Sequence, residues 1–265
     1  LKPLADHGTD TYQGSKRLEG RKAFITGGDS GIGRAVAIAF AREGADVAFT
    51  YLQSEKSDAD QTVESISAIG KQVFAIETDF TDEARCRDAV NQAVSNLGGI
   101  DIVVNNAGKQ VYNDDITTIP SKQIVETFTV NIIAMFWVVQ EALRHLPKGA
   151  TIINTTSIQA YQPSAGLIDY AATKAAIMNF TKGLSEQLAP KGIRVNAVAP
   201  GPIWTPLQPS YGQPQEKLQK FGQDTPLGRA GQPAELAPAY VFLASQESSF
   251  VTGAILPVTG GEITA

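Results

Sequence analysis

Apolar residues in this chain follow two alternating rhythms. Short runs rich in valine, isoleucine, phenylalanine and alanine occupy residues 22–26, 46–52, 72–78, 101–106, 150–156, 193–199 and 254–258. Several are apolar at consecutive positions instead of every second one, the pattern of strands covered on both faces. Between them, apolar positions recur at helical spacing over 31–43, 57–70, 82–97, 121–146, 169–189 and 233–245. Seven strands alternating with six helices predict an α/β fold, a doubly wound seven-stranded parallel sheet flanked by helices. Residues 1–20 are polar and glycine-punctuated, and read as an arm ahead of a single domain over 21–265.

Residues 201–231 break this rhythm. Prolines stand at 202, 206, 209, 214 and 226, interspersed with Trp204, Tyr211 and Phe221. Long loops in compact domains often act as lids. The ligand crevice of an open α/β sheet lies at the strand C-terminal ends, where this segment starts. It is read as a lid.

Composition narrows the class. Of 265 residues, 43% are hydrophobic and 18% charged, which supplies a sizeable core and excludes a disordered chain. The longest apolar run, 132–139, has eight residues, against the roughly 20 that span a bilayer. No leader-like segment stands near the start, so a cytoplasmic location and no membrane partner are expected. A net charge of −5 without a dense basic tract gives no support for nucleic-acid binding, which depends on neutralising phosphates. The single cysteine, Cys86, cannot close an internal disulfide; with His7 and His145 it leaves no zinc-type cluster, and no metal is expected. Cys86, between Arg85 and Arg87, is read as structural, and His145 as a helix C-terminal cap.

The first strand meets the first helix through Thr26-Gly27-Gly28-Asp29-Ser30-Gly31-Ile32-Gly33. Residues without a Cβ let a pyrophosphate lie against main-chain N–H groups at the positive end of a helix. Glycines at 27, 31 and 33 fit neither the G-x-G-x-x-G spacing nor a P-loop, which needs a following Gly-Lys-Ser/Thr. The second strand ends in Thr50-Tyr51-Leu52-Gln53-Ser54-Glu55-Lys56, with neither an acid nor an arginine at its tip. The missing acid argues weakly against NAD, and Ser54 and Lys56 could meet a 2′-phosphate; the reading leans slightly to NADP and leaves NAD open.

Tyr170 and Lys174 are four residues apart on one helix face, and Ser157 stands at the C-terminal end of the fifth strand. A phenol working near neutral pH needs its pKa moved by about three units, or about 4 kcal/mol. A neighbouring ammonium favours the phenolate.

Together with Asn105-Asn106-Ala107-Gly108, Tyr170-Ala171-Ala172-Thr173-Lys174 and Pro200-Gly201-Pro202, these motifs stand in the order found in the short-chain dehydrogenase/reductase family. The chain resembles its single-domain branch over about residues 20–265. It is most similar to bacterial aldehyde-reductase-like and glucose-dehydrogenase-like members with an N-terminal arm and the Gly-Asp-Ser-Gly-Ile-Gly loop. The resemblance implies a Rossmann-type NAD(P)-dependent oxidoreductase moving a hydride between nicotinamide and an alcohol/carbonyl pair. By it, Tyr170 is the general acid/base, and Lys174 binds the nicotinamide ribose and lowers the tyrosine pKa. Ser157 orients the substrate oxygen, and Asn131 holds a water of the proton relay.

The cofactor contacts implied are Gly27, Asp29, Ser30, Gly31, Ile32 and Gly33, then Tyr51, Leu52, Asp79 and Phe80. Phe80 replaces a commoner aliphatic residue. Asn105, Asn106, Ala107 and Gly108 follow, and Pro200, Gly201, Ile203 and Thr205 meet the nicotinamide end. Substrate contacts are expected from Lys109, Gln110, Ile158, Gln159 and the loop to Leu167, and from Trp204, Leu207 and Tyr211. The two glutamines suit a polyol or polar carbonyl; Trp204 and Leu207 suit an apolar one. A sugar or polyol dehydrogenase is therefore the alternative to an aldehyde or ketone reductase. A non-catalytic dinucleotide-binding regulator is a further one, against which the complete Ser157, Tyr170, Lys174 and Asn131 set speaks. The apolar 132–139 stretch reads as a helix covered on two faces, and the resemblance implies that one of them is the interface of a homodimer, usually within a homotetramer.

Overall fold

The computed structural model describes residues 2–262 and 264, Tyr211 by its backbone alone. Seven strands form one sheet: β1 (Lys22–Ile25), β2 (Asp46–Tyr51), β3 (Val73–Glu77), β4 (Ile102–Asn105), β5 (Thr151–Thr155), β6 (Arg194–Pro200) and β7 (Ile255–Val258). Their order is β3-β2-β1-β4-β5-β6-β7 and every pair is parallel. β4 and β5 are buried along their whole length, which is why their sequences do not alternate. The chain reverses direction across the sheet between β1 and β4, and the crevice at that switch point opens at the strand C-terminal ends.

The helices are α1 (Gly31–Arg42), α2 (Lys56–Ser67), α3 (Glu83–Leu97), α4 (Ser121–Phe128), α5 (Ala134–Ala142), α6 (Ile168–Leu188), α7 (Gln215–Leu218) and α8 (Pro233–Ala244). On one face of the sheet α1 packs along α8, and the buried alanines 35, 37, 39 and 41 let the two lie close. α3, α5 and α6 cover the other face.

The helix predicted over 121–146 is α4 and α5 joined by a wide π turn, Thr129–Ile133. It stops at Ala142, before Pro147. The whole stretch Ser121–Ala142 is long and apolar enough to cross a bilayer by length and composition alone. Its second part is packed on the sheet, with Ala134, Val138, Val139 and Ala142 buried, whereas α4 buries only Thr127 and leaves Ile124 and Val125 exposed. The His145 ring meets Asn91 Oδ1 of α3 at 3.2 Å, so it ties two helices together instead of capping its own. Cys86 is buried, and burial followed by the acids Asp82, Asp79 and Glu83 pushes its thiol up to about 12, so the flanking arginines do not activate it.

Among its described residues the arm has no helix or strand, yet it is docked. Leu18 is buried in the α1/α8 core, and the arm is pinned by Glu43, whose side chain is fully buried at the end of α1. Glu43 Oε1 accepts from the Tyr12 hydroxyl at 2.5 Å and from two Arg17 guanidinium nitrogens at 2.6 and 3.0 Å. Its Oε2 accepts from the N–H groups of Ser15 and Arg17 at 2.9 and 3.0 Å. Burial alone would raise the Glu43 pKa; the bonds from Arg17, Tyr12 and the amides outweigh it and hold the carboxyl at about 2, below its ordinary 4.5.

Glu43→Ala is expected to destabilise the fold by about 3 kcal/mol in urea titrations, since it strands a half-buried guanidinium. A carboxyl whose pKa is depressed on folding contributes fully above the unfolded value and loses that contribution as pH falls toward the folded one. The stability gap between wild type and Glu43→Ala should therefore hold above pH 4.5 and narrow as the pH falls toward 2.

Candidate active site

The end of β5 and the first turns of α6 are stapled together. Thr156 Oγ1 donates to the carbonyl of Lys174 at 2.7 Å, and Lys174 Nζ donates back to the carbonyl of Thr155 at 2.9 Å. This brings Ser157, Tyr170 and Lys174 to one wall of a cavity of about 1360 Å³. All three are nearly out of reach of water, at 7%, 8% and 3% exposure. The Lys174 ammonium lies 5.3 Å from the centre of the Tyr170 ring.

The protonation states differ from the sequence expectation. Burial raises the Tyr170 phenol to about 12, against a hydrogen bond with Ser157 that pulls it down. Burial lowers the Lys174 ammonium to about 8. In the protein alone, desolvation therefore dominates, and a phenol depressed by its lysine is not what the site holds.

Asn131 sits in the π turn, fully buried, a setting π turns often occupy at functional sites. Its Nδ2 donates to the Lys109 carbonyl and to Thr173 Oγ1 at 2.9 and 3.0 Å, while Oδ1 accepts from the Lys109 N–H at 2.6 Å. One amide hydrogen and the amide oxygen hold the loop after β4 and the other hydrogen holds Thr173 of α6, so the side chain is a clasp and does not line the cavity. A residue the sequence reading passed over does similar work. The buried Asp169 carboxylate accepts from Tyr170 N–H at 2.8 Å, Thr127 Oγ1 at 3.0 Å and Gln123 Nε2 at 3.1 Å, tying α4 to the start of α6. An acid in the first turn of a helix was its only signal.

The glycine loop forms the opposite wall. Gly27 and Gly31 have φ of +64° and +51°, which favour glycine. A Cβ at Gly33 would stand 1.8 Å from the Gly27 carbonyl oxygen, so Gly33 seats α1 on the loop and does not itself face the cavity. Asn106 Nδ2 donates to the Gly27 carbonyl at 3.0 Å and links this loop to the one after β4. Asn105 points inward, its Nδ2 donating to Asn154 Oδ1 at 2.8 Å.

Asp29, Ser30, Gly31, Ile32, Tyr51, Leu52, Asp79, Phe80, Asn106, Ala107, Gly108, Pro200, Gly201, Ile203 and Thr205 all line the cavity with Gly27. Neither Ser54 nor Lys56 does; Lys56 is paired with Asp60 at 2.7 Å on the surface. The charge that faces the cavity there is acidic. Asp29 is 3% exposed with Oδ2 lacking a partner, and burial raises its pKa; Glu55 lines the same end and is raised by burial and then by Asp29.

The expected substrate contacts divide. Leu207, Lys109 and Ile158 line the cavity, as do Gln110 and Gln159, but the glutamines are already engaged. Gln110 Nε2 donates to the Gly212 carbonyl at 2.8 Å. Gln159 exchanges bonds with Ser164 at 2.9 and 2.7 Å. Trp204 does not line the cavity; its indole Nε1 donates to the Pro3 carbonyl on the outer side at 2.9 Å. Lys217, Lys220, Asp224 and Glu262 line the cavity without having been anticipated. Among the described residues, no cluster of His, Cys, Asp or Glu is placed to hold a metal ion.

The cavity is larger than a drug-sized ligand needs. Its loop geometry at a helix N-terminus and the unpartnered Asp29 oxygen fit a dinucleotide.

The model of the family described as Enoyl-(Acyl carrier protein) reductase matches residues 27–262. The chain is 48% identical over 258 residues to NADPH-dependent aldehyde reductase 1, chloroplastic, of Arabidopsis thaliana, covering 95% of this chain and 89% of that one. It is 47% identical over 268 residues to the glucose and ribitol dehydrogenase of Daucus carota, covering 99% and 92%. A crystal structure of a short chain dehydrogenase from Burkholderia cenocepacia J2315 in complex with NADP superposes with a TM-score of 0.86 at 35% identity, covering 92% of this chain and 98% of that one. With the parallel sheet, the glycine loop and these likenesses in place, the chain is a member of the short-chain dehydrogenase/reductase family of oxidoreductases.

Proposed function

We propose that this protein reduces aldehydes or ketones with a nicotinamide dinucleotide, Tyr170 acting as general acid. The observation that carries this reading is the buried Tyr170 phenol beside the Ser157 hydroxyl and the Lys174 ammonium at one wall of the cavity. A phenol that keeps its proton near neutral pH is a donor to a carbonyl oxygen, and Ser157 can hold that same oxygen in line. Lys174, brought down to about 8, can hold or release a proton one helical turn from the phenol. The N–H groups of the glycine loop and the start of α1 would hold the pyrophosphate, with Asp79 and Phe80 at the adenine end. Lys174 would reach the ribose, and Ile203 and Thr205 the nicotinamide. When bound, that group supplies the hydride, or takes it in the reverse direction.

NADP(H) is favoured by the names of the Arabidopsis and Burkholderia relatives. Asp29 and Glu55 oppose a 2′-phosphate, so the preference is narrow. A second reading, oxidation of a sugar or polyol, is favoured by Gln208, Gln213, Lys217 and Gln223 along the outer cavity wall, and the carrot relative is named for that activity.

Tyr170→Phe is expected to lower turnover of carbonyl probes by about 10³-fold. Fluorescence titration with NADPH should show affinity within about threefold of wild type; retained turnover would sink the role of Tyr170. NADPH and NADH affinities should lie within about tenfold of each other, and Asp29→Asn should shift the ratio about fivefold toward NADPH. A shift toward NADH would overturn the placement of that carboxylate. Lys174→Met should abolish turnover while the melting temperature holds or rises, because it removes a buried ammonium. The Lys174 burial penalty is fully present below pH 8 and fades as the pH rises toward 10.5, so any gain in stability should shrink over that window.

A further inference from the structure

We propose that the N-terminal arm is a brace for the neck of the lid over 201–231, and that Trp204 is a positioning residue. By tying the lid's first foot to the arm, it sets where Ile203, Thr205 and Leu207 stand over the cavity. The proposal rests on the lid reading and not on the chemistry assigned to Tyr170.

The neck is closed by the chain's own backbone. Ile203 and Gly231 pair as an isolated parallel bridge. The Trp204 N–H donates to the Gly231 carbonyl, and the Gly231 N–H to the Pro202 carbonyl, both at 2.9 Å. The arm then grips both feet. At the first, Trp204 Nε1 donates to the Pro3 carbonyl at 2.9 Å. At the second, the Asp6 N–H donates to Gln232 Oε1 at 2.9 Å and the Ala234 N–H to the Asp6 carbonyl at 3.0 Å. Further along, the arm is anchored to the end of α1 through Glu43. A continuous path therefore runs from a rigid helix end, along the arm, to the two points from which the lid departs.

The lid has space on either side. Its inner face lines the catalytic cavity, and its outer face lines a second cavity of about 1310 Å³ whose walls include Pro3, Asp6, Trp204 and Leu218. Phe221 faces both cavities, its ring 6.4 Å from that of Trp204. Across the inner side, two clasps hold the wall, Gln110 to the Gly212 carbonyl and Lys217 Nζ to the Tyr112 hydroxyl at 2.9 Å. A wall with open volume on both sides takes its position from its feet and from such clasps, since dense packing does not define it.

Two variants test this. Trp204→Phe keeps a ring and removes the N–H, while a chain beginning at His7 loses Pro3 and Asp6 but keeps Tyr12 and Arg17. Trypsin cleavage after Lys217 and Lys220 reports lid opening; melting temperature, NADPH affinity by fluorescence, and kcat and KM with hexanal complete the set. Lid cleavage should quicken about fivefold in Trp204→Phe, the loss of about one hydrogen bond, and more in the shortened chain. Melting temperature should stay within about 2 °C and NADPH affinity within about threefold, because most of the expected cofactor contacts lie off the lid. KM for hexanal should rise about fivefold with kcat within about twofold. Unchanged lid cleavage in both variants would overturn the brace, as would faster cleavage that only follows a falling melting temperature. Cleavage needs no turnover, so a wild type inert toward hexanal would count against the proposed function and leave the cleavage comparison to decide the brace.

Discussion

Lys174 carries an ammonium into a place that water barely reaches, and the surrounding structure is organised around keeping it there. A buried charge with few partners must be fixed in register, because a small slip would cost its hydrogen bond. The two bonds between β5 and α6 supply that register, one from the ammonium to Thr155 and one from Thr156 back to the Lys174 carbonyl. Tyr170 lies one turn earlier on the same helix and inherits the placement. Asp169 then fixes the start of α6 against α4, and Thr173 links α6 to Asn131 in the π turn. The loop after β4 follows, held through Lys109. The placement of Tyr170 and Lys174, helix packing and loop position are thus parts of one constraint.

The cavity is divided electrostatically. At the Tyr170 end the walls are dry, and burial alone moves the phenol and the ammonium in opposite directions from their ordinary values. At the Asp29 end two carboxylates face the same space, and burial raises both. Net charge foretold neither condition. A glycine loop at a helix N-terminus attracts an anion through backbone amides, whatever the sign of the whole molecule.

Much of the fold was legible because its signals are local. Runs such as 150–156 are apolar at successive positions because β5 is covered on both faces, and the four-residue spacing of Tyr170 and Lys174 is itself a statement about a helix face. Misreadings arose where a side chain's partner lies far away in sequence. Trp204 looks like a substrate contact until its partner, Pro3, appears 201 residues away, and Gln110, which does line the cavity, has its amide N–H taken by Gly212, 102 residues away. Lys56 is instead paired locally, with Asp60 one helical turn away on the surface of α2. The π turn at Thr129–Ile133 left no compositional trace, since its residues suit an ordinary helix equally well.

The contact between Asp6 and Gln232 spans 226 residues, nearly the full length of the chain. Residues near the start are made first, yet they can dock against Gln232 and Ala234 only after those residues have been made. A ribosome therefore releases the arm long before its binding place exists. Docking of the arm is in this way deferred until after the sheet's central strands have been made.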